Sequence, residues 1–279
     1  RILRETFGVH EDRIGAFFSE LKGMNYYDDR SCTTRELFQR HFPGRSDVWR
    51  LLMEPITYAN GSTLEEPAIS YGIVFGNFMS KGVYTFQGGS DLLMEMMAQR
   101  LRENGVDCRT GARVEEVIVE KGRAAGVVVD GKAIACGAVI SNASLVRTVR
   151  DLVGFEHFPE PYRDVFQREV QVSNSSCQVY IGIRGGERLP RFGDLLFTST
   201  FPEFDADALC SRNVTSRTFS VYYPDIRPGT DDYTVVASMN ARYEDWAGLG
   251  AEAYRRAKDD LIDDALAALE RYVPGISDK

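Results

Sequence analysis

The sequence predicts a mixed fold, α+β or α/β, in which helices and strands occupy separate stretches of the chain. Three observations predict it. Apolar residues recur at helical spacing through the first 81 positions, a helix followed by closely turned β-branched runs fills 82–144, and period-two strands give way to one long amphipathic helix over 145–279. With 279 residues, 43% of them hydrophobic, the polypeptide is long enough to bury the core of one large or two ordinary domains.

Helices are expected at Arg13 to Leu21, after Thr33 with Glu36 as a capping box, and from Ser46, with Pro43 and Pro55 as punctuation. Tyr71, Phe75 and Phe78 share one helical face, and with Phe42, Trp49 and Met53 they supply a large apolar surface.

The middle stretch is the most informative. Gly88 and Gly89 permit close backbone approach, and Ser90 is placed to cap a helix starting near Asp91. Leu92, Leu93, Met96, Met97 and Leu101 then form a stripe suited to packing on a sheet, and Asn104–Gly105 ends the helix. Val106 to Arg109 reads as a short strand. Val114 to Val119, Ala124 to Val129 and the residues after Gly131 read as a three-stranded meander turned at Lys121–Gly122 and Asp130–Gly131. Ala138 to Ile140 is an apolar run, read as a buried strand, that stops at Ser141, Asn142 and Ala143, where a strand meets a ligand or a tight turn.

Beyond it, helices are expected near Leu145 to Leu152 and from Glu160–Pro161. Strands follow at Val170 to Ile183, Leu195 to Thr200, Thr218 to Tyr223 and Tyr233 to Met239, suggesting an antiparallel sheet. A helix from about Glu252 to Tyr272 carries Tyr254, Ala257, Leu261, Ala265, Leu269 and Tyr272 on the face expected to cover that sheet.

Composition narrows the function classes. The net charge of −8 provides no basic field for nucleic acid. No apolar run reaches the roughly 20 residues of a membrane span, and no signal peptide is visible, so the cytoplasm is the expected compartment. Five dispersed cysteines without a CxxC pair, and His10, His41 and His157 without metal-ligand spacing, predict neither a disulfide framework nor a metal site. Gly248 to Ala253 matches a relaxed GxGxxA but follows no strand, so it reads as the start of a helix.

The order of these pieces, a glycine pair, an amphipathic helix, Asn-Gly, the meander from Arg113 to Gly131 and then Ala138 to Ser144, resembles the phytoene desaturase, carotenoid isomerase and retinol saturase group of FAD-dependent oxidoreductases, relatives of the monoamine oxidases. The resemblance implies that 82–144 is part of a Rossmann-type FAD domain, interleaved with a substrate domain whose helical part is 1–81 and whose antiparallel sheet and covering helix are 145–279. It implies FAD contacts through the backbone of Val114, through Ser141, Asn142 and Ala143, and near Gly88 and Gly89. A core valine, a strand-to-helix turn and a helix start account for the same residues structurally.

Tyr71, Phe75, Phe78, Tyr84 and Phe86 would line a path for an apolar isoprenoid substrate, or serve as plain core. The implied reaction is desaturation, saturation or redox-linked isomerisation of a carotenoid-like or retinoid-like polyene, with peripheral membrane association compatible with such a substrate. Two alternatives stay open: an amine-oxidase-like enzyme with a polar substrate, and a non-catalytic module that has lost its nucleotide site. No catalytic residue is assigned, and the oligomeric state is not indicated. The family's opening GxGxxG unit and closing flavin segment have no counterpart between Arg1 and Lys279, so the sequence is expected to be an internal portion of a longer protein.

Overall fold

Thr33 opens the first firmly capped helix as its sequence requires: its hydroxyl accepts from the Glu36 N–H at 3.2 Å, and its own N–H donates to the Glu36 carboxylate at 2.8 Å. In sequence order the helices are α1 (Ile2–Glu5), α2 (Glu11–Gly23), α3 (Thr34–His41), α4 (Ser46–Asn60), α5 (Ala68–Lys81), α6 (Gly89–Glu103), α7 (Leu145–Arg147), α8 (Glu160–Glu169), α9 (Ala206–Leu209), α10 (Glu244–Ala247) and α11 (Ala251–Glu270). The strands are β1 (Val114–Glu120), β2 (Arg123–Val129), β3 (Lys132–Ala135), β4 (Ser175–Gly182), β5 (Leu195–Ser199), β6 (Ser216–Tyr222) and β7 (Thr234–Ala241). This computed structural model describes residues 1–25, 32–60, 62–82, 84, 86, 88–170, 173–226 and 230–279. Residues 171–172, within the strand expected from Val170, lie outside the described residues.

The protein divides into two compact units: Arg1–Asp91 with Ser173–Lys279, and Leu92–Val172. In the first, α2 to α5 close around Phe17, Leu37, Phe38, Phe42, Met53, Ile56 and Tyr71, all essentially inaccessible. Burying rings of this size is the main force holding the helical layer together, each worth about 1.5–3 kcal/mol. Helix α4 runs on through Pro55 to Asn60, so this proline does not punctuate as expected. Proline removes a single backbone donor, and the apolar face of α4, with Leu52, Met53 and Ile56 in the core, holds the helix on both sides of it.

The same unit carries a four-stranded antiparallel sheet in the order β4-β7-β6-β5. Because strand residues alternate between faces, Val179, Ile181, Phe219, Val221, Val235 and Ala237 point to one side and pack under Ala265 and Leu269 of α11. The expected covering helix is therefore present on the expected strands. On the opposite face, the Tyr58 ring of α4 lies 6.1 Å from the Phe197 ring of β5, joining the helical layer to the sheet.

In the second unit β1, β2 and β3 form the meander in that order. Lys121 and Asp130 take positive φ (51° and 49°) and are followed by Gly122 and Gly131 at 75° and 69°, the geometry that Lys-Gly and Asp-Gly hairpins require. Val117, Val149 and Leu152 are buried, and the π-helix Thr148–Gly154 packs on β1. This unit extends past Ser144, so the helices over 145–169 stand with the meander.

Three local expectations are corrected. Val106 to Arg109 and Ala138 to Ile140 are not strands, and Ile140 is 98% exposed; a strand exists only with a partner, and neither segment has one among the described residues. Helix α6 begins at Gly89, so Ser90 lies inside its first turn rather than at its cap. Among the described residues the α6 stripe is left largely uncovered: none of its residues is buried, Leu93 is half-buried, and Leu92, Met96, Met97 and Leu101 are exposed.

Candidate functional site

Val114 opens β1, the outer strand of the meander, at an irregularity that leaves Glu115 without a paired residue across the ladder. The Glu115 carboxylate instead accepts the Gly131 N–H at 3.3 Å, tying the second hairpin turn to the first strand. Val114 is 38% exposed and lies on an outer strand, and outer strands present N–H and C=O groups that the sheet leaves unpaired.

The turn from Ser141 to Ala143 is held by its own hydroxyl chemistry. Ser141 Oγ lies 2.8 Å from Thr148 Oγ1 and accepts the Ala143 N–H at 3.3 Å, while the exposed Asn142 side chain makes no hydrogen bond among the described residues. Thr148 begins the π-helix that packs on β1. Val114 and the 141–143 turn are thus two exposed places on one small unit, connected through that helix.

Gly88 and Gly89 belong to the other unit, with φ of 87° and 77°, and the Gly89 N–H donates to the Phe86 C=O at 3.0 Å. The aromatic candidates separate into two groups. Tyr71 and Phe75 are core residues: their rings stack at 5.2 Å, Tyr71 meets Phe38 edge-on at 5.1 Å, and its hydroxyl donates to the Leu52 C=O at 3.4 Å. Burial pushes the Tyr71 phenol well above its ordinary acidity range. Phe78, Tyr84 and Phe86 are exposed, Tyr84 at 86%. Beside Phe78 on α5, Gly72, Gly76 and Met79 form a groove of about 500 Å³ with Phe18, Leu21 and Met24.

A polar cluster at the joint of α4 and the sheet is absent from the sequence-based candidates. Arg50, Glu54 and Tyr58 follow one another at four-residue spacing on α4, and that spacing is the signal that would have found them. Arg50 bonds Glu54 at 3.1 Å and the Ser199 C=O at 3.3 Å, and the Ser216 hydroxyl donates to Ser199 Oγ at 2.6 Å. Burial raises the Glu54 carboxyl against the opposing pull of Arg50, and raises the Tyr58 phenol, whose hydroxyl stands beside Ser216 outside bonding geometry.

The sequence matches the family described as flavin containing amine oxidoreductase over residues 10–275, and the protein belongs to that family. Among curated proteins it is 27% identical over 208 residues to the phytoene desaturase (lycopene-forming) of Pseudescherichia vulneris, covering 70% of this chain and 40% of that enzyme. It is 26% identical over 129 residues to the 4,4'-diaponeurosporene oxygenase of Staphylococcus aureus, covering 46% of this chain and 25% of that protein. A crystal structure of an oxidoreductase from Methanosarcina mazei superposes with a TM-score of 0.60 at 14% identity, over 95% of this chain and 57% of that one, which establishes a shared fold. The matched part therefore spans less than two thirds of each of these proteins.

FAD is the cofactor that family membership assigns. Val114 on an outer strand and the turn at 141–143 are exposed places on the second unit, open to contact with such a group. Among the described residues no strand leads through a glycine-rich turn into a helix N-terminus in the manner that grips a pyrophosphate.

Proposed function

We propose that this polypeptide is the central portion of a longer FAD-dependent oxidoreductase that changes the unsaturation or double-bond geometry of a long apolar polyene. The names of its relatives, a phytoene desaturase and a diaponeurosporene oxygenase, carry this reading. FAD, when bound, supplies hydride exchange with the substrate. The protein's own residues contribute binding and exclusion of water: the Val114 backbone on the adenine, and exposed Phe78, Tyr84 and Phe86 against the hydrocarbon. The uncovered stripe of α6 and the unpaired segments 106–109 and 138–140 support the view that further polypeptide completes the cofactor domain. No helix among the described residues is long and apolar enough to cross a membrane.

The test is to express the full-length protein and record flavin absorbance, then incubate it with a carotenoid precursor in liposomes and follow the conjugated absorbance of the polyene. A yellow protein that shifts the polyene spectrum is expected. A protein that stays colourless after added FAD overturns the cofactor assignment, and one that is yellow but turns over amines instead of the polyene overturns the substrate class.

A further inference from the structure

The two central strands of the four-stranded sheet stop pairing at one end. Their ladder runs from Tyr222 opposite Thr234 to Thr218 opposite Ser238 and ends there, although β6 continues to Ser216 against β5 and β7 continues to Ala241 against β4. Past Thr218 and Ser238 each strand keeps its outer partner and is no longer paired with the other, which leaves a fork in the middle of the sheet.

Polar groups are buried at this fork. Ser216 and Arg217 of β6 and Asn240 of β7 are all buried, and the Tyr58 hydroxyl of α4 stands beside Ser216. Alternation along the strands puts Ser216 and Asn240 on the face that carries Phe197 and meets α4, whereas Arg217 turns to the other face and donates to the Asp264 C=O of α11. Among the described residues three buried side-chain atoms have no hydrogen-bond partner, Tyr58 Oη, Asn240 Nδ2 and Arg217 Nε, and all three belong to residues at this fork. Ser216 does not relieve them, because its hydroxyl donates to Ser199 Oγ at 2.6 Å and lies outside bonding geometry for Tyr58. Native proteins meet buried polar groups either with protein or with ordered water.

The donor set selects the occupant. A cation would face the Asn240 N–H and the nearby Arg217 guanidinium, an anion would stand close to the Glu54 carboxyl that already influences Tyr58, and an apolar group would leave both donors unmet. Water accepts two hydrogen bonds and donates two, so it can take the Asn240 N–H and serve the Tyr58 hydroxyl in either direction. We infer that the fork between β6 and β7 is a site for an ordered internal water, held by Asn240 Nδ2 and Tyr58 Oη, which ties α4 to β7 where the ladder has ended. With that water, the polar contacts of Arg50, Glu54, Ser199 and Ser216 extend across β5 and β6 to β7 as one seam. The site is independent of the flavoenzyme reading.

A high-resolution crystal structure of the full-length protein tests this without any substitution. One water within about 2.7–3.2 Å of both Asn240 Nδ2 and Tyr58 Oη is expected. A direct bond between these two side chains, an empty fork, or density larger than a water overturns the inference. Thermal unfolding of Tyr58→Phe, Asn240→Leu and the double variant gives a second readout. A shared water couples the two residues, so the double variant is expected to melt about 2 °C or more above the value that the two separate falls predict when added. Additive falls overturn the bridge, because each side chain would then act alone.

Discussion

Removing Asp264 destabilises this protein more than removing its partner, Arg217, and the reason lies in which of the two is buried. Arg217 on β6 is 6% exposed; its guanidinium pairs with the Asp264 carboxylate and donates to the backbone carbonyl oxygen of Asp264 at 2.8 Å, while Nε has no partner among the described residues. Asp264 on α11 is 51% exposed. Truncating Asp264 to alanine leaves a buried cation with only a carbonyl for company, a change that costs about 3 kcal/mol. Truncating Arg217 to methionine keeps the packing of the stem, relieves the orphaned Nε, and leaves a carboxylate that water can reach, a change that costs about 1 kcal/mol or less. For a protein of this size those figures correspond to a fall in Tm of about 6 °C for Asp264→Ala and about 2 °C for Arg217→Met. Thermal unfolding by circular dichroism at neutral pH reads both. Equal falls, or a larger fall for Arg217→Met, would refute the reasoning, since the pair would then act as a surface contact or as an indispensable clamp.

Four further outcomes follow from the same geometry. Replacing Val114 by proline in the full-length protein removes a backbone donor and weakens FAD binding by tenfold or more, about 1.4 kcal/mol, whereas Val114→Ala binds as well as the parent; flavin titration separates them. Gly126→Ala puts a methyl group 2.6 Å from the Ile134 carbonyl oxygen and costs the meander roughly 1–3 kcal/mol, measured as faster hydrogen exchange in β2 and β3. Because the folded Glu54 carboxyl titrates above its unfolded value, the native state loses stability as pH rises through that interval; Glu54→Gln therefore melts higher than the parent at pH 7 and loses the advantage near pH 4. Glu270 is the opposite case. The backbone N–H groups of Gly275 and Ser277 hold its carboxyl below the usual range, so the contact is present above the unfolded value and lost as pH falls through the folded one, with faster exchange at 276–279 in acid as the readout.

Local chemistry made much of this fold legible. The Thr33–Glu36 box, the two hairpin turns and the Ala257, Ala265 and Leu269 part of the α11 face each depend on residues within a few positions of one another and stand where the sequence places them, whereas Tyr254 and Tyr272 of the expected face are exposed. Gly250 is the N-cap of α11, which accounts for the glycine-rich match there as a helix start. Two segments whose state depends on distant partners were not legible. Val106 to Arg109 has strand composition but no ladder to join, and the apolar stripe of α6 has nothing to cover it among the described residues. Pro55 was misread because proline's local penalty was weighed without the packing of α4 around it. The site divides along the same line. Its glycines, aromatics and turn hydroxyls were visible, but the backbone contact proposed for Val114 would leave no mark on residue type. The Arg50, Glu54 and Tyr58 cluster acquires its character only when Ser199 and Ser216 arrive from far along the sequence.

That last separation has a bearing on how the protein is made. The bond from Arg50 to Ser199 joins residues 149 positions apart, and the whole second unit is translated between them. At the usual pace of about 5–20 residues per second, roughly 7–30 seconds pass on the ribosome before α4 meets the strand that seats Tyr58. Until β5 and β6 are synthesised, the face of α4 that carries Tyr58 has no sheet to pack against.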